Sequence, residues 1–284
     1  MANSAYASGI NLDALMVNTK AATVYAATEQ SLYLSGGIVP MVNIAGGSLK
    51  AQVPVMGSVT ATKLSAEAST GVDLDAVLPS DTKNEITLDL HAARSVLRDL
   101  GGVDPQEMGR ILGNAVAVSV DKTVTAAMAS LTEQEKSGSG GAASTLAMAD
   151  IFDAVATIRG AGEGGELFGI VSTDAYAGLM TAIGSTAFSG GDFQTSAMRN
   201  GFFGKIAGVN LFVSSYLNNT VLGSTVHPKA AIFSADAMRG AISGGINLEV
   251  ERRAAAVGFD VVASAAFGCA TIDATRGVII IDQS

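Results

Sequence analysis

The sequence predicts an α+β fold, in which helices and strands are intermingled without regular βαβ alternation. Three observations support this prediction. They are a long apolar helix over residues 104–131, two alternating strands between residues 49 and 90, and a series of strand-like segments from residue 246 onward. We find no internal repeat. The 284 residues are enough to bury a full core in one domain or two.

The long helix begins with residues that cap helices. Asp104 can serve as the cap, Pro105 suits the first helical position, and Glu107 follows the cap by three residues, as in a capping box. At 1.5 Å per residue, this span is roughly 40 Å long. The polar residues of the helix fall on one narrow stripe, namely Arg110, Asn114, Asp121 and Thr125. A helix that is apolar around most of its circumference must be covered on several sides, by an ordinary core or by neighbouring chains.

The two strands before this helix have the pattern of an extended hairpin. Residues 49–59 alternate between apolar and polar but contain Pro54, which favours an edge strand or a two-stranded ribbon. Residues 60–84 are polar and rich in turn formers. Alternation then resumes, with three apolar residues predicted on one face: Ile86, Leu88 and Leu90. Such a hairpin is marginal in isolation and needs another surface to lie against.

The remaining segments complete the predicted mixture of elements. Residues 1–45 resemble an arm more than the first element of a compact core. Helices are predicted over residues 147–159 and 174–183, and strands over 167–171, 205–213 and 230–234. His227 and Pro228 indicate a turn before the last of these strands.

Composition and charge exclude several classes of protein. Hydrophobic residues make up 48% of the chain, but no stretch of ~20 apolar residues escapes interruption, so a membrane-spanning helix is not predicted. The N-terminus lacks the pattern of a signal peptide. The single cysteine, Cys269, rules out an intrachain disulfide. The net charge of −9 disfavours direct binding of nucleic acid.

The sequence offers no set of residues typical of an active site. Its two histidines, His91 and His227, are predicted to lie at the surface, and with one cysteine they provide no zinc ligand set. Asp73, Asp75 and Asp81 lack the order of a calcium loop. No phosphate-binding glycine motif occurs after a strand. We therefore predict neither catalysis nor a cofactor nor a metal.

Three sets of strings carry a resemblance to a known family. They are KAQVPVMGSVTATKL (50–64) with ITLDLHAARSVLRDLGGVDPQEMGRILGNAVAVSVDKTVTAAM (86–128), ELFGIVSTDAYAGLM (166–180) with FFGKIAGVNLFVSSYL (202–217), and KAAIFSADAMRGAI (229–242) with INLEVERRAAAVGFDVVASAAFG (246–268) and GVIIID (277–282). In this order they resemble the major capsid protein of tailed bacteriophages, the Hong Kong 97 fold, and most closely its short-tailed, podovirus-type members. The likeness spans nearly all of the chain.

The resemblance implies a division of the chain into four parts. Residues 1–45 would be the N-terminal arm and residues 46–90 the extended loop called the E-loop, which lies over a neighbouring subunit. Residues 91–143 and 242–284 would form the peripheral domain, whose spine helix is residues 104–131. Residues 144–241 would form the axial domain. Gly109 and Gly113, inside the spine helix, would permit close packing and subunit bending.

The resemblance also implies a structural function. The expected protein self-assembles into hexamers and pentamers of an icosahedral phage head that encloses double-stranded DNA without sequence-specific binding. Other expected partners are a separate scaffolding protein, a portal and a cement protein, with no membrane. The expected location is the virion capsid, assembled in the host cytoplasm.

Two alternatives to the phage head remain, and one set of contact residues is predicted. The alternatives are the shell subunit of an encapsulin-like nanocompartment and an α+β enzyme with an unrecognised site. The residues predicted to make contacts between subunits lie on the E-loop: Val53, Val55, Lys63 and Leu64.

Overall fold

The structure is a computed structural model, and it describes residues 19–27, 31–33, 37–44, 48–56, 81–98, 105–135, 146–182, 205–218, 221, 226–253, 255 and 257–283. The helices are α1 (residues 19–27), α2 (Pro105–Ala127), α3 (Met148–Gly160) and α4 (Thr173–Ala182), with 3₁₀ turns at Met128–Ser130 and Ala274–Arg276. The strands are β1 (Met41–Ile44), β2 (Lys50–Met56), β3 (Asp81–Thr87), β4 (Asp89–Arg98), β5 (Thr132–Glu135), β6 (Leu167–Ser172), β7 (Lys205–Ile206), β8 (Val209–Ser214), β9 (Val226–Ser234), β10 (Met238–Arg253), β11 (Gly258–Thr271) and β12 (Gly277–Gln283).

The predicted long helix is present as α2, and it is buried along most of its length. Its apolar side chains Leu112, Val116, Val120 and Val124 are at most 2% exposed. Burying a side chain of this size is worth about 1.5–3 kcal/mol, so this one helix contributes much of the driving force for folding.

The N-terminal segment lies along α2 and runs in the same direction. α1 packs at Gly109 and Gly113, where a side chain at Gly109 would come within 2.6 Å of the Thr19 carbonyl oxygen and one at Gly113 within 2.8 Å of the Ala26 methyl carbon. The predicted role of these glycines in close packing is therefore confirmed. The predicted arm contributes to the core, since Tyr33 is only 1% exposed and Ile38 is fully buried, although Tyr25 is 64% exposed.

The predicted polar stripe on the long helix is divided between two environments. Arg110 and Asn114 are exposed, whereas Asp121 and Thr125 are 4% and 1% exposed. The two buried residues are covered by the N-terminal segment, because Ser31 donates a hydrogen bond to Asp121 and the Tyr33 hydroxyl lies 3.1 Å from Thr125 Oγ1. The polar stripe is therefore exposed at its first two positions and buried at its last two.

A four-stranded sheet with the order β1-β10-β11-β4 lies against α2. β1 pairs with β10 in parallel, and the other neighbours are antiparallel. Alternate residues of β11, such as Val261, Ala263 and Phe267, face α2 and are at most 2% exposed. The opposite face, at the end near Gly268, receives the hairpin.

A second sheet has six strands in the order β5-β12-β9-β6-β8-β7. Helices α3 and α4 cover one of its faces, while the other face joins the core around α2. β12 shows this division clearly, since Val278 and Ile280 face the two helices and Ile279 and Ile281 face the α2 core. This sheet therefore contains strands from the predicted peripheral domain (residues 91–143 and 242–284) and from the predicted axial domain (residues 144–241). The predicted domain boundaries themselves stay a prediction.

Two local predictions are wrong. His227 and Pro228 lie inside β9 rather than in a turn, and the proline is accommodated where the register of β9 with β12 shifts, between Ile280 and Ile281. His91 is not a simple surface residue, because its Nδ1 lies 2.7 Å from Ser119 Oγ on α2. Thr87 and Asp89, which alternate with His91 in the sequence, make this face of the strand look polar, yet at His91 it packs under the helix.

We expect Gly113→Ala to destabilise the protein although alanine favours helices by about 1 kcal/mol. The new methyl group would overlap the Thr23 carbonyl oxygen and approach Ala26, and overpacking of this kind costs about 1–3 kcal/mol. The measurement is the free energy of unfolding of the unassembled subunit by urea. Gly160→Ala is the control, because a side chain there meets nothing within 4 Å, and it should not lower stability. Equal stability of the two variants would contradict the close approach of α1.

Candidate assembly site at the base of the hairpin

The hairpin is a two-stranded ribbon of β2 and β3. The strands pair antiparallel from Lys50 opposite Thr87 to Met56 opposite Asp81, and no third strand joins them among the described residues. This is the arrangement expected from Pro54, which cannot donate a hydrogen bond to a neighbouring strand. The second strand begins at Asp81, within the stretch predicted to be turn-rich.

The base of the ribbon is seated on the chain's own four-stranded sheet. Ala51, Ile86 and Leu88 are buried there. The seat depends on Gly268, since a side chain at this position would collide with the Thr87 carbonyl oxygen. The predicted single face of Ile86, Leu88 and Leu90 ends at this point, because β4 starts at Asp89 and Leu90 is 74% exposed.

A cleft of about 240 Å³ separates the ribbon from the two turns that connect the sheets. The ribbon wall is apolar and consists of Val53, Pro54 and Val55. The opposite wall is mainly charged, and its residues are Asp236, Arg239, Ile272, Asp273 and Arg276. The side-chain amide of Asn84 bridges the two walls by donating to the Ile272 carbonyl oxygen at 3.0 Å. The cleft is therefore lined by β2 on one side and by the β9–β10 and β11–β12 turns on the other.

Arg276 connects three carboxylates at the charged wall. Its guanidinium group lies 3.0 Å from Glu163, 3.0 Å from Asp273 and 3.6 Å from Asp236. The two turns also share backbone hydrogen bonds, from the amides of Ile272 and Asp273 to the Ala237 carbonyl oxygen. These contacts fix the place where the chain crosses from one sheet to the other.

The carboxylates around Arg276 favour their charged forms. The pKa of Glu163 is lowered, mainly by the hydrogen bond from the Gly165 amide and further by Arg276 and Ser234, against the opposing effect of burial. For Asp273, burial is the largest single effect and acts upward, but the bonds from Thr275 and Arg276 together outweigh it and lower the pKa. Both groups therefore stabilise the fold most when they are ionised.

The structure places two of the four predicted contact residues at this site. Val53 and Val55 are partly buried on the inner face of the ribbon, toward the cleft. Lys63 and Leu64 lie outside the described residues. The charged wall was not predicted, although its pairs have a visible signal. Asp236 with Arg239, and Asp273 with Arg276, each have the three-residue spacing of a local ion pair.

The described residues contain no cluster of ligands suited to a metal ion. None of the described helices is long and apolar enough to span a membrane.

Comparisons with solved structures identify the fold. The capsid structure of the cyanophage P-SCSP1u matches with a TM-score of 0.59 and 17% identity over 86% of this chain and 86% of that chain. The capsid of the native GTA particle matches with a TM-score of 0.66 and 11% identity over 87% and 95% of the two chains. A virus-like particle from Pyrococcus furiosus matches with a TM-score of 0.61 and 12% identity over 93% and 98%.

The chain has the Hong Kong 97 capsid fold. No family model matches the sequence, and no curated protein matches it. The predicted α+β architecture and the resemblance to phage capsid proteins are confirmed at the level of the fold. Closeness to the podovirus-type members of the Hong Kong 97 fold stays a prediction.

We expect Arg276→Met to make the fold more sensitive to acid. The stability contributed by Glu163 and Asp273 is present above the ordinary pKa of unfolded carboxyl groups and is lost as the pH falls through their lowered pKa values. Without the guanidinium group those pKa values rise, so the midpoint of acid unfolding moves to higher pH. Circular dichroism of the unassembled subunit between pH 7 and pH 2 measures it.

The matched control for this change is Arg110→Met. Arg110 bonds Glu107 in a similar three-residue pair, but both side chains are about half exposed on the surface of α2. Exposed pairs of this kind contribute little to stability. An acid midpoint that moves equally in both variants would show that Arg276 has no special role.

Proposed function

We propose that the protein is a shell subunit that self-assembles into hexamers and pentamers of an icosahedral phage head around double-stranded DNA. The observation that supports this most strongly is the extent of the structural match. Capsid structures cover 86–87% of this chain, and this chain covers 86–95% of theirs, so no large part of either fold is left over. A heterologous contact between copies that closes by rotation produces such rings.

The hairpin supports the same proposal. Beyond its seat on the four-stranded sheet, the ribbon has two strand edges without a neighbouring strand among the described residues, and a two-stranded ribbon is marginal by itself. We infer that a second copy of the chain covers it, through Val53 and Val55 and through the predicted contact residues Lys63 and Leu64.

The charge of the chain agrees with a wall that encloses DNA without holding it tightly. With a net charge of −9, the chain gains nothing from the release of counterions on nucleic acid. Under the proposal, a separate scaffolding protein, a portal and a cement protein are its partners, and the shell assembles in the host cytoplasm. The protein itself performs no catalysis.

An encapsulin-like nanocompartment is the second candidate function. It is favoured by the match to the virus-like particle from Pyrococcus furiosus, of which this chain covers 98%. The two candidates differ in what the shell encloses. Shells purified from cells that express the complete set of neighbouring genes should contain DNA in the first case and a protein cargo in the second.

We expect the purified full-length chain to form closed shells or ring-shaped capsomers. Negative-stain electron microscopy and size-exclusion chromatography measure this directly, with a scaffolding protein added where the chain alone gives capsomers only. A compact monomer at high concentration, with the ribbon protected from hydrogen exchange along its entire length, would overturn the proposed function.

We expect Val55→Asp to abolish assembly, because it places a charge on the apolar face proposed to meet a second copy. Gln52→Glu is the matched control, since it adds the same charge to the opposite, exposed face of β2. Assembly is scored by electron microscopy, and thermal unfolding confirms that each unassembled subunit is folded. Normal shells from Val55→Asp, or loss of shells in both variants, would argue against this contact.

A further inference from the structure

The carboxyl group of Asp121 lies where residues 31–33 of the N-terminal segment pack on the spine helix α2. Ser31 Oγ donates to Asp121 Oδ1 at 2.5 Å, and the Leu32 backbone amide donates to Oδ2 at 3.2 Å. Asp121 is 4% exposed, and Ser31 is fully buried. Two hydrogen bonds to this buried carboxyl group thus hold residues 31–33 against α2.

Tyr33 extends this attachment to both sheets. Its hydroxyl lies 3.1 Å from Thr125 Oγ1, one turn along α2 from Asp121. The same side chain lies near Ser214, at the end of β8 in the six-stranded sheet, and near Cys269 on β11 of the four-stranded sheet. The N-terminal segment, the spine helix and both sheets therefore meet at one buried tyrosine.

Among the described residues of this cluster, Asp121 is the group that changes its charge between acid and neutral pH. Burial raises the pKa of the Asp121 carboxyl, and the hydrogen bonds from Ser31, Leu32 and the Tyr33 amide only partly oppose that effect. In the part of the chain that the structure describes, Tyr33 is the titratable group beside it, and Cys269 lies beside Tyr33. Burial raises the pKa of Tyr33 and raises that of Cys269 to about 12, so both stay neutral in mildly acidic and neutral solution.

We propose that Asp121 is a proton-operated lock, which holds residues 31–33 on the spine helix in acid and loosens them as the pH rises. When the segment lifts away, the carboxyl group gains water and its ordinary acidity. The docked state then binds more protons than the undocked state, and protons favour docking. Docking is strongest below the pKa of the undocked group, about 3.9, and weakens as the pH rises through the higher pKa of the docked group.

Opening of the lock affects the place where Tyr33 lies between the two sheets. Release of residues 31–33 withdraws Tyr33 from Thr125 and Ser214, so the cluster loses the side chain that links α2 to the six-stranded sheet. The proposal concerns the subunit itself, and it holds whether or not the chain forms a shell.

Hydrogen–deuterium exchange of the full-length, unassembled subunit tests the lock. Protection of the amides of residues 31–33, corrected for the intrinsic effect of pH on exchange, should fall as the pH rises above about 4. The fall should be about tenfold for each pH unit between the undocked and docked pKa values. Protection of α3, which has no part in the lock, serves as the internal reference.

Three variants separate the lock from a merely structural contact. Asp121→Asn should make protection of residues 31–33 independent of pH, whereas Asp153→Asn, which removes an exposed carboxylate on α3, should leave the pH profile unchanged. Ser31→Ala removes a donor that favours the ionised carboxylate, so the loss of protection should extend to higher pH, and this variant decides the matter if Asp121→Asn does not fold. A flat profile in the natural chain, or an unchanged profile in Asp121→Asn or Ser31→Ala, overturns the proposal.

Discussion

The long helix α2 has to be covered on several sides, and the rest of the structure depends on how the chain achieves this. α1 reaches it through Gly109 and Gly113, the four-stranded sheet packs on a second side, and residues of the six-stranded sheet pack on a third, while a face that includes Ile111 and Asn114 stays exposed. Because the same apolar cluster contains side chains from both sheets, the two sheets share the core around α2, and the six-stranded sheet has a second core under α3 and α4. A movement of either sheet therefore changes the packing around α2.

The hairpin combines a fixed base with an unsupported remainder. Gly268 and Asn84 hold the base to the four-stranded sheet and to the turn beyond it, so the direction in which the ribbon leaves the subunit is set by the chain itself. Val53 still packs against the apolar cluster at the base, whereas Val55, farther along the ribbon, stands opposite charged residues across a cleft. A fixed base and an uncovered remainder are the properties expected of a segment that is anchored in its own subunit and packs against a neighbouring one.

Much of the architecture could be predicted from the sequence, because its signals are local. The caps and apolar circumference of α2 lie within one stretch, as does the proline that marks β2 as a ribbon strand. What could not be predicted depends on contacts between distant residues. Burial of Asp121 is set by residues about ninety positions earlier, and the charged wall of the cleft is assembled from two turns that are distant in the sequence. His91 was misread for the same reason, since Ser119 comes from another element.

The place of β12 in the six-stranded sheet has a consequence for biosynthesis. This strand lies between β5 and β9, yet it follows every other strand of the sheet in the sequence. While the ribosome is still adding residues, β9 presents an open edge and the isoleucines that will cover it have not yet emerged. The nascent chain therefore carries an incomplete sheet until β12 has been synthesised, and chaperones can bind the open edge during that interval.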